Sequence, residues 1–158
     1  MMSDIKQILV MRTRYPDGKG GFKKVRTGKL CAQAAHASMK VFFDRPDVQY
    51  AWRCGQTGTL VEPEDDPQNA GFPVLLLYPS KVEQEWLEGV FTKVVCYVET
   101  EDELRALYQK AQEAHLPCSL IEDNGMTEFH GVKTVTAIAI GPAEDLYLRP
   151  ITGHLPLL

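Results

Sequence analysis

Apolar residues fall along this chain in short runs whose spacing switches between the two periods of regular structure. Residues 5–13 (IKQILVMRT) form a compact apolar run with basic edges, which predicts a buried strand. Residues 15–26 break the pattern: Pro16-Asp17-Gly18 is a turn signal, and Gly18, Gly20 and Gly21 loosen the segment into a loop. A helix is predicted from Thr27, whose hydroxyl can cap it, to about Phe43, with Asp44-Arg45-Pro46 ending it. Residues 46–79 are rich in Pro, Gly and acids. Their one apolar run, at 74–78, predicts a single short strand in an excursion from the core.

A short helix is predicted over 80–89, opened by a capping box of Ser80 and Glu83 and stopped by Gly89. Residues 92–99 (TKVVCYVE) predict a strand. A second capping box, Thr100 with Glu103, opens a helix whose apolar face is Leu104, Leu107, Tyr108, Ala111 and His115, until Pro117 blocks it. Residues 118–121 predict a third strand, ending at Glu122-Asp123-Asn124-Gly125. The β-branched run 132–140 (VKTVTAIAI) predicts a fourth, stopped by Gly141-Pro142, with a short helix over 144–148 and an extended tail beyond it. Strands alternating with helices imply a layered α/β domain with a mostly parallel sheet. The link between the third and fourth strands is too short for a parallel crossover, so the fourth is expected antiparallel to its sequence neighbour.

Composition narrows the class. A chain of 158 residues, 44% hydrophobic and 24% charged, fits one globular domain, 1–158, with its own core. The four cysteines, Cys31, Cys54, Cys96 and Cys118, form no C-x-x-C pair and are expected to be reduced and structural. An apolar signal-peptide core and a membrane-length run are both lacking, so a soluble, cytoplasmic protein is expected. The formal charge of −4 argues against a nucleic-acid partner until its distribution is considered. Residues 5–40 hold nine Lys/Arg against one acid, Asp17, while residues 62–66 hold four acids. Such a basic quarter can attract phosphates locally, screened beyond about 8 Å at physiological salt. A solvated charged face fits the same residues.

Candidate chemistry concentrates on the first predicted helix. Leu30, Ala34, Ala37 and Val41 make its apolar side, while Lys29, Gln33, His36 and Lys40 share a second stripe. Lys29 lies in the first turn, where the helix dipole disfavours a cation by ~0.3–1 kcal/mol. A charge placed there beside free backbone N–H groups favours an anion or a developing oxyanion. A surface lysine without a role, and a His36 bonded to a neighbour, fit equally. Asp123 is explained by turn chemistry alone. In an open α/β sheet, however, ligands bind off the carboxyl ends of the strands, so Lys29 and Asp123 are candidate neighbours, each shifting the other's ionisation. Residues 18–28 match neither G-x-G-x-x-G nor the P-loop, and no G-x-S-x-G elbow occurs. The histidines show no zinc-type spacing with one another or with the cysteines, and no motif requires a metal or cofactor.

Together these residues resemble the type-two peptidyl-tRNA hydrolases, the archaeal and eukaryotic kind. The opening strand and lysine-bearing helix are similar in Ile8-Leu9-Val10-Met11-Arg12-Thr13 and Gly28-Lys29-Leu30-Cys31-Ala32-Gln33-Ala34-Ala35-His36-Ala37. The family's Asp-Ala-Gly-Arg-Thr motif resembles Asp123-Asn124-Gly125-Met126-Thr127. Its last strand and tail resemble residues 133–142 and Thr152-Gly153-His154-Leu155. The resemblance implies a three-layer α/β/α domain with a four-stranded mixed sheet, the last strand antiparallel, and a homodimer. It implies hydrolysis of peptidyl-tRNA by Lys29, Asp123, Thr127 and Thr134, with Gln33 and His36 lining the site. The basic residues Lys19, Lys23, Lys24 and Arg26 would then hold the tRNA backbone.

Three features depart from the family pattern: Met126 in place of arginine, a longer loop before Lys29, and an acidic insertion at about 44–80. They leave two further readings, a non-catalytic tRNA-binding relative and a protein-interaction module that uses the insertion.

Overall fold

The computed structural model of the chain describes residues 4–46, 48–55, 57–62 and 71–158. By contact density it divides into two compact units, one of residues 1–41 with 80–158, the other of residues 42–79.

The larger unit is built on a four-stranded sheet of β1 (Ile5–Arg12), β7 (Lys93–Val98), β8 (Cys118–Asp123) and β9 (Thr134–Glu144), in the order β7-β1-β9-β8. β1 runs parallel to β7 and antiparallel to β9, and β9 is antiparallel to β8. The expected antiparallel fourth strand is therefore present. It lies inside the sheet rather than at an edge, so two of the three ladders are antiparallel although three strands share one direction. Continuous burial on both faces explains that place: every residue of β9 from Val135 to Ala143 is buried.

Helices cover both faces. Leu104, Leu107 and Ala111 of α3 (Glu101–Glu113) and Leu148 and Ile151 of α4 (Asp145–Thr152) pack with Ile8, Val10, Cys96, Val98, Val135, Ile138 and Ile140. On the opposite face lies α1 (Thr27–Phe43), tied down by polar contacts. The buried Gln7 amide donates to the Ser38 carbonyl at 3.2 Å, the Ser38 hydroxyl donates back to Gln7 at 2.6 Å, and Ser119 donates to the Ala37 carbonyl at 2.9 Å. Both expected capping boxes are present, Ser80–Glu83 on α2 (Lys81–Glu88) and Thr100–Glu103 on α3.

Several boundaries differ from expectation for local reasons. Arg26, not Thr27, supplies the carbonyl that accepts the opening bonds of α1, from the Lys29 and Leu30 N–H groups at 2.9 and 3.2 Å. The predicted loop at 15–26 carries a two-residue ladder, β2 (Tyr15–Pro16) with β3 (Phe22–Lys23). Asp17 closes that turn by accepting the Lys19 and Gly21 N–H groups, each at 2.8 Å.

Gly141-Pro142 does not stop β9. The register against β1 shifts there, a bulge in which proline's missing donor is harmless and Gly141 takes φ +90°. α4 runs on to Thr152 through Pro150, and the tail then pairs Leu157 with Cys96 on β7. His115 is not part of the α3 face. It stands beyond the helix at φ 53°, where its N–H bonds to the Gln112 carbonyl and the Leu116 N–H to that of Ala111.

The smaller unit holds more order than its composition suggests. β4 (Gln49–Arg53) pairs antiparallel with both β5 (Leu60–Val61) and β6 (Phe72–Leu76), where one short strand was expected. The acidic stretch 62–66 lies outside the described residues except for Glu62. None of the four cysteines is in a disulfide; Cys54 and Cys96 are buried and Cys118 is half-buried, but Cys31 is exposed on α1. Among the described residues no helix is long and apolar enough to cross a membrane.

Candidate active site

The end of β8, the turn after it and the first turns of α1 bring Lys29, Gln33, Asp123 and Thr127 together. Asp123 is the last residue of β8, directly across from Thr134 at the start of β9. Its Oδ1 accepts the Gly125 N–H at 2.8 Å, which fixes the turn after the strand. Its Oδ2 accepts from the Gln33 amide at 2.7 Å and from the Lys29 ammonium, with which it forms an ion pair. Lys29 Nζ also donates to the Thr127 hydroxyl at 3.3 Å. Both charged side chains are largely buried, so water weakens their attraction less than it would at an open surface.

Gln33 is the joint of this assembly. It is 4% exposed, facing the sheet where the apolar pattern placed Ala34. Its Oε1 accepts from the Thr136 hydroxyl at 2.7 Å. Thr136 reaches it because the β8–β9 register shifts between Ile121 and Glu122, giving β9 one extra residue at that point. The bulge therefore sets both the amide of Gln33 and the pairing of Asp123 with Thr134. Thr136 was missed in the sequence, where a threonine in a β-branched run reads as an ordinary strand residue.

Burial raises the Asp123 pKa, but the Lys29 ammonium, the Gly125 N–H and the Gln33 amide outweigh it and hold the carboxyl below its ordinary range. Asp123 is thus a carboxylate throughout the neutral range.

Of the remaining sequence candidates, Thr134 is half-buried and its hydroxyl donates to the Val132 carbonyl at 2.9 Å. His36 is exposed on α1. Lys19 and Lys24 are exposed. Lys23 donates to the Glu128 carbonyl at 2.6 Å, and Arg26 pairs with the Glu128 carboxylate at 2.8 Å. Glu128, absent from the sequence candidates, therefore anchors two of the four basic residues to the loop that carries Thr127. Met126 stands 85% exposed in that same loop. Among the described residues no three His, Cys, Asp or Glu are grouped so as to hold a metal ion.

A carboxylate with a fixed ammonium and a hydroxyl that accepts from it can orient a water and stabilise negative charge on an acyl carbon's oxygen. Known proteins are similar to the chain over nearly all its length. The family model described as Peptidyl-tRNA hydrolase PTH2 matches residues 5–158. A peptidyl-tRNA hydrolase of Methanocaldococcus jannaschii is 33% identical over 154 residues, covering 98% of this chain and all of the relative. That of Methanopyrus kandleri is 32% identical over 97% of each chain, and that of Saccharolobus islandicus 30% over 98% of this chain and 99% of its own. With its family model matched almost from end to end, the chain belongs to the peptidyl-tRNA hydrolase family PTH2.

Proposed function

We propose that the chain hydrolyses the ester joining a peptide to the terminal ribose of tRNA, at the cluster of Lys29, Asp123 and Thr127. The observation that carries the assignment is the Lys29–Asp123 pair, held between two elements 94 residues apart in sequence and bonded on to Gln33 and Thr127.

Asp123 is a weak base because its partners stabilise the carboxylate. Its first task is to hold the attacking water by the lone pairs that Lys29, Gln33 and Gly125 leave open. Water becomes strongly acidic as it bonds to the carbonyl carbon, and the carboxylate takes the proton at that stage. Lys29 stabilises the tetrahedral oxyanion. Thr127 is better placed than Thr134 to add a hydrogen bond: it accepts from Lys29 and so keeps its proton to give, while the Thr134 proton is engaged by Val132. Lys19, Lys23, Lys24 and Arg26 hold the tRNA backbone without reading bases. His36, on the exposed side of α1, contacts substrate rather than Asp123. A homodimer belongs to the same reading and rests on the family resemblance, while a cytoplasmic location is carried over from the sequence expectation; sedimentation velocity tests the first.

The experiment is single-turnover release of tRNA from a peptidyl-tRNA by wild type, Lys29→Ala and Asp123→Asn. Release that both substitutions abolish is the expected result, and shows that Met126 is tolerated in the arginine's place. Intact peptidyl-tRNA bound to folded wild type would instead assign the chain to the non-catalytic relatives.

A further inference from the structure

The smaller unit carries a cleft of its own, lined by residues of 42–79 alone. It has a volume of about 640 Å³ and lies among Tyr50, Trp52, Val61, Glu62 and Pro73. That volume is within the ~300–1,000 Å³ usual for ligand sites. The strand β4 builds its floor. Side chains alternate across a strand, so Tyr50 and Trp52 share one face of β4, the central strand of its sheet. Trp52 pairs with Val61 of β5 on one side and with Pro73 of β6 on the other. Trp52 is half-buried, whereas Tyr50 is 85% exposed and contributes little to any core.

We propose that this cleft binds arginine side chains from a basic segment of a partner protein. Two aromatic side chains separated by one residue on a strand stand roughly 7 Å apart, a spacing that admits one planar group between the rings. Guanidinium is planar, weakly hydrated and attracted to aromatic faces. Glu62 places a carboxylate in the same cleft, which can accept from the guanidinium N–H groups.

Charge decides between the two kinds of ligand that stack on exposed aromatic rings. Nucleobases also stack in this way, but the sites that take them carry a positive groove for the phosphates. Among the described residues lining this cleft there is one carboxylate, Glu62, and no lysine or arginine. Residues 42–79 as a whole hold six acids against two bases, a field that repels phosphate and attracts a basic chain. The inference is independent of the hydrolytic site, since none of Lys29, Gln33, Asp123 and Thr127 belongs to this unit.

The test titrates the full chain with a peptide of alternating arginine and glycine, followed by amide and indole NMR. Shifts should concentrate at Tyr50, Trp52, Val61 and Glu62, with the Trp52 indole N–H moving and that of Trp86 still. Tyr50→Thr, which keeps a strand-forming residue at an exposed position, should weaken binding about fivefold. Glu62→Gln should weaken it by about the same factor and flatten its salt dependence. Unchanged amide positions across β4, β5 and β6 in the free variants check that the sheet is intact.

A glutamine–glycine peptide that binds equally well would overturn the proposal, because the cleft would then be reading backbone or bulk. Equal affinity for a lysine–glycine peptide would remove guanidinium stacking as its basis. Shifts in the cleft caused by oligouridylate and not by the arginine peptide would make it a nucleic-acid site instead. Shifts there that grow with protein concentration alone, and that the peptide does not reverse, would give the cleft to a second copy of the chain.

Discussion

Gln33 has both ends of its amide bonded inside the protein, to Asp123 on one side and to Thr136 on the other. Replacing it with leucine of similar volume leaves the buried Thr136 hydroxyl only the Ile121 carbonyl at 3.4 Å in place of its 2.7 Å bond, a loss of roughly 1–3 kcal/mol. Gln33→Leu is expected to lower denaturant stability by that order and to reduce kcat more than KM, because Asp123 loses one of its holders. Gln33→Glu should instead place a second carboxylate against Asp123 and raise its pKa.

The Asp123 ionisation itself is directly testable. Its folded pKa is lowered, so its contribution to stability is present above the ordinary value near 3.8 and is lost as pH falls through the folded value. A carboxyl-detected NMR titration should find wild-type Asp123 below 3.8 and the Lys29→Met variant above the wild type. Equal values in the two proteins would remove Lys29 as the cause.

At the scale of elements, the turn that carries the site depends on one glycine. Gly125 takes φ +80°, and a Cβ there would stand 2.5 Å from the Val132 carbonyl oxygen. Gly125→Ala is therefore strained by both conformation and contact, by roughly 1–3 kcal/mol, and releases the N–H that fixes Asp123. The expected outcome is a lower melting temperature together with a kcat loss larger than the stability loss alone explains.

The two capping boxes lie at the starts of α2 and α3. Ser80→Ala and Thr100→Ala should each cost ~1 kcal/mol, which in a chain of this size is a fall of roughly 2–4 °C in melting temperature. Calorimetry should record that fall with kcat unchanged.

For the whole molecule, charge is divided between the two units. Residues 42–79 contain six acids and two bases, so the formal charge of −4 resides there and the remainder is neutral. A neutral unit with a basic face attracts tRNA more strongly without that acidic companion, and the difference must fade as salt screens it. Replacing residues 46–79 by a short Gly/Ser linker should therefore raise kcat/KM at low salt, converge with wild type at high salt and leave kcat unchanged. Binding of tRNA by the intact chain should weaken with salt at a log–log slope of about −0.7 to −0.9 per phosphate contacted. A flat salt dependence would exclude residues 19–26 as the phosphate-holding face. If residues 46–79 serve a partner instead, their removal abolishes capture of that partner with hydrolysis intact.

What the sequence by itself determined were the features written in local chemistry. The two capping boxes need only residues three apart, the strands only short apolar runs, and the direction of β9 only a link too short to cross over. Lys29 and Asp123 could be singled out because a helix opening and a strand end expose such groups; Gln33 shared a helix stripe with Lys29, and Thr127 came from the family resemblance. Tertiary structure decided what depends on partners distant in sequence. The interior place of β9 comes from burial on both its faces. Its two bulges come from ladders with β1 and β8, and one of them turned a strand threonine into the support for Gln33. The rotation of α1 that buries Gln33 comes from packing against Gln7 and Ser119, which the apolar period alone places one residue away. The three-stranded sheet of residues 42–79 had no strong period to show it, since its strands are short and partly exposed and gain their order from pairing with one another.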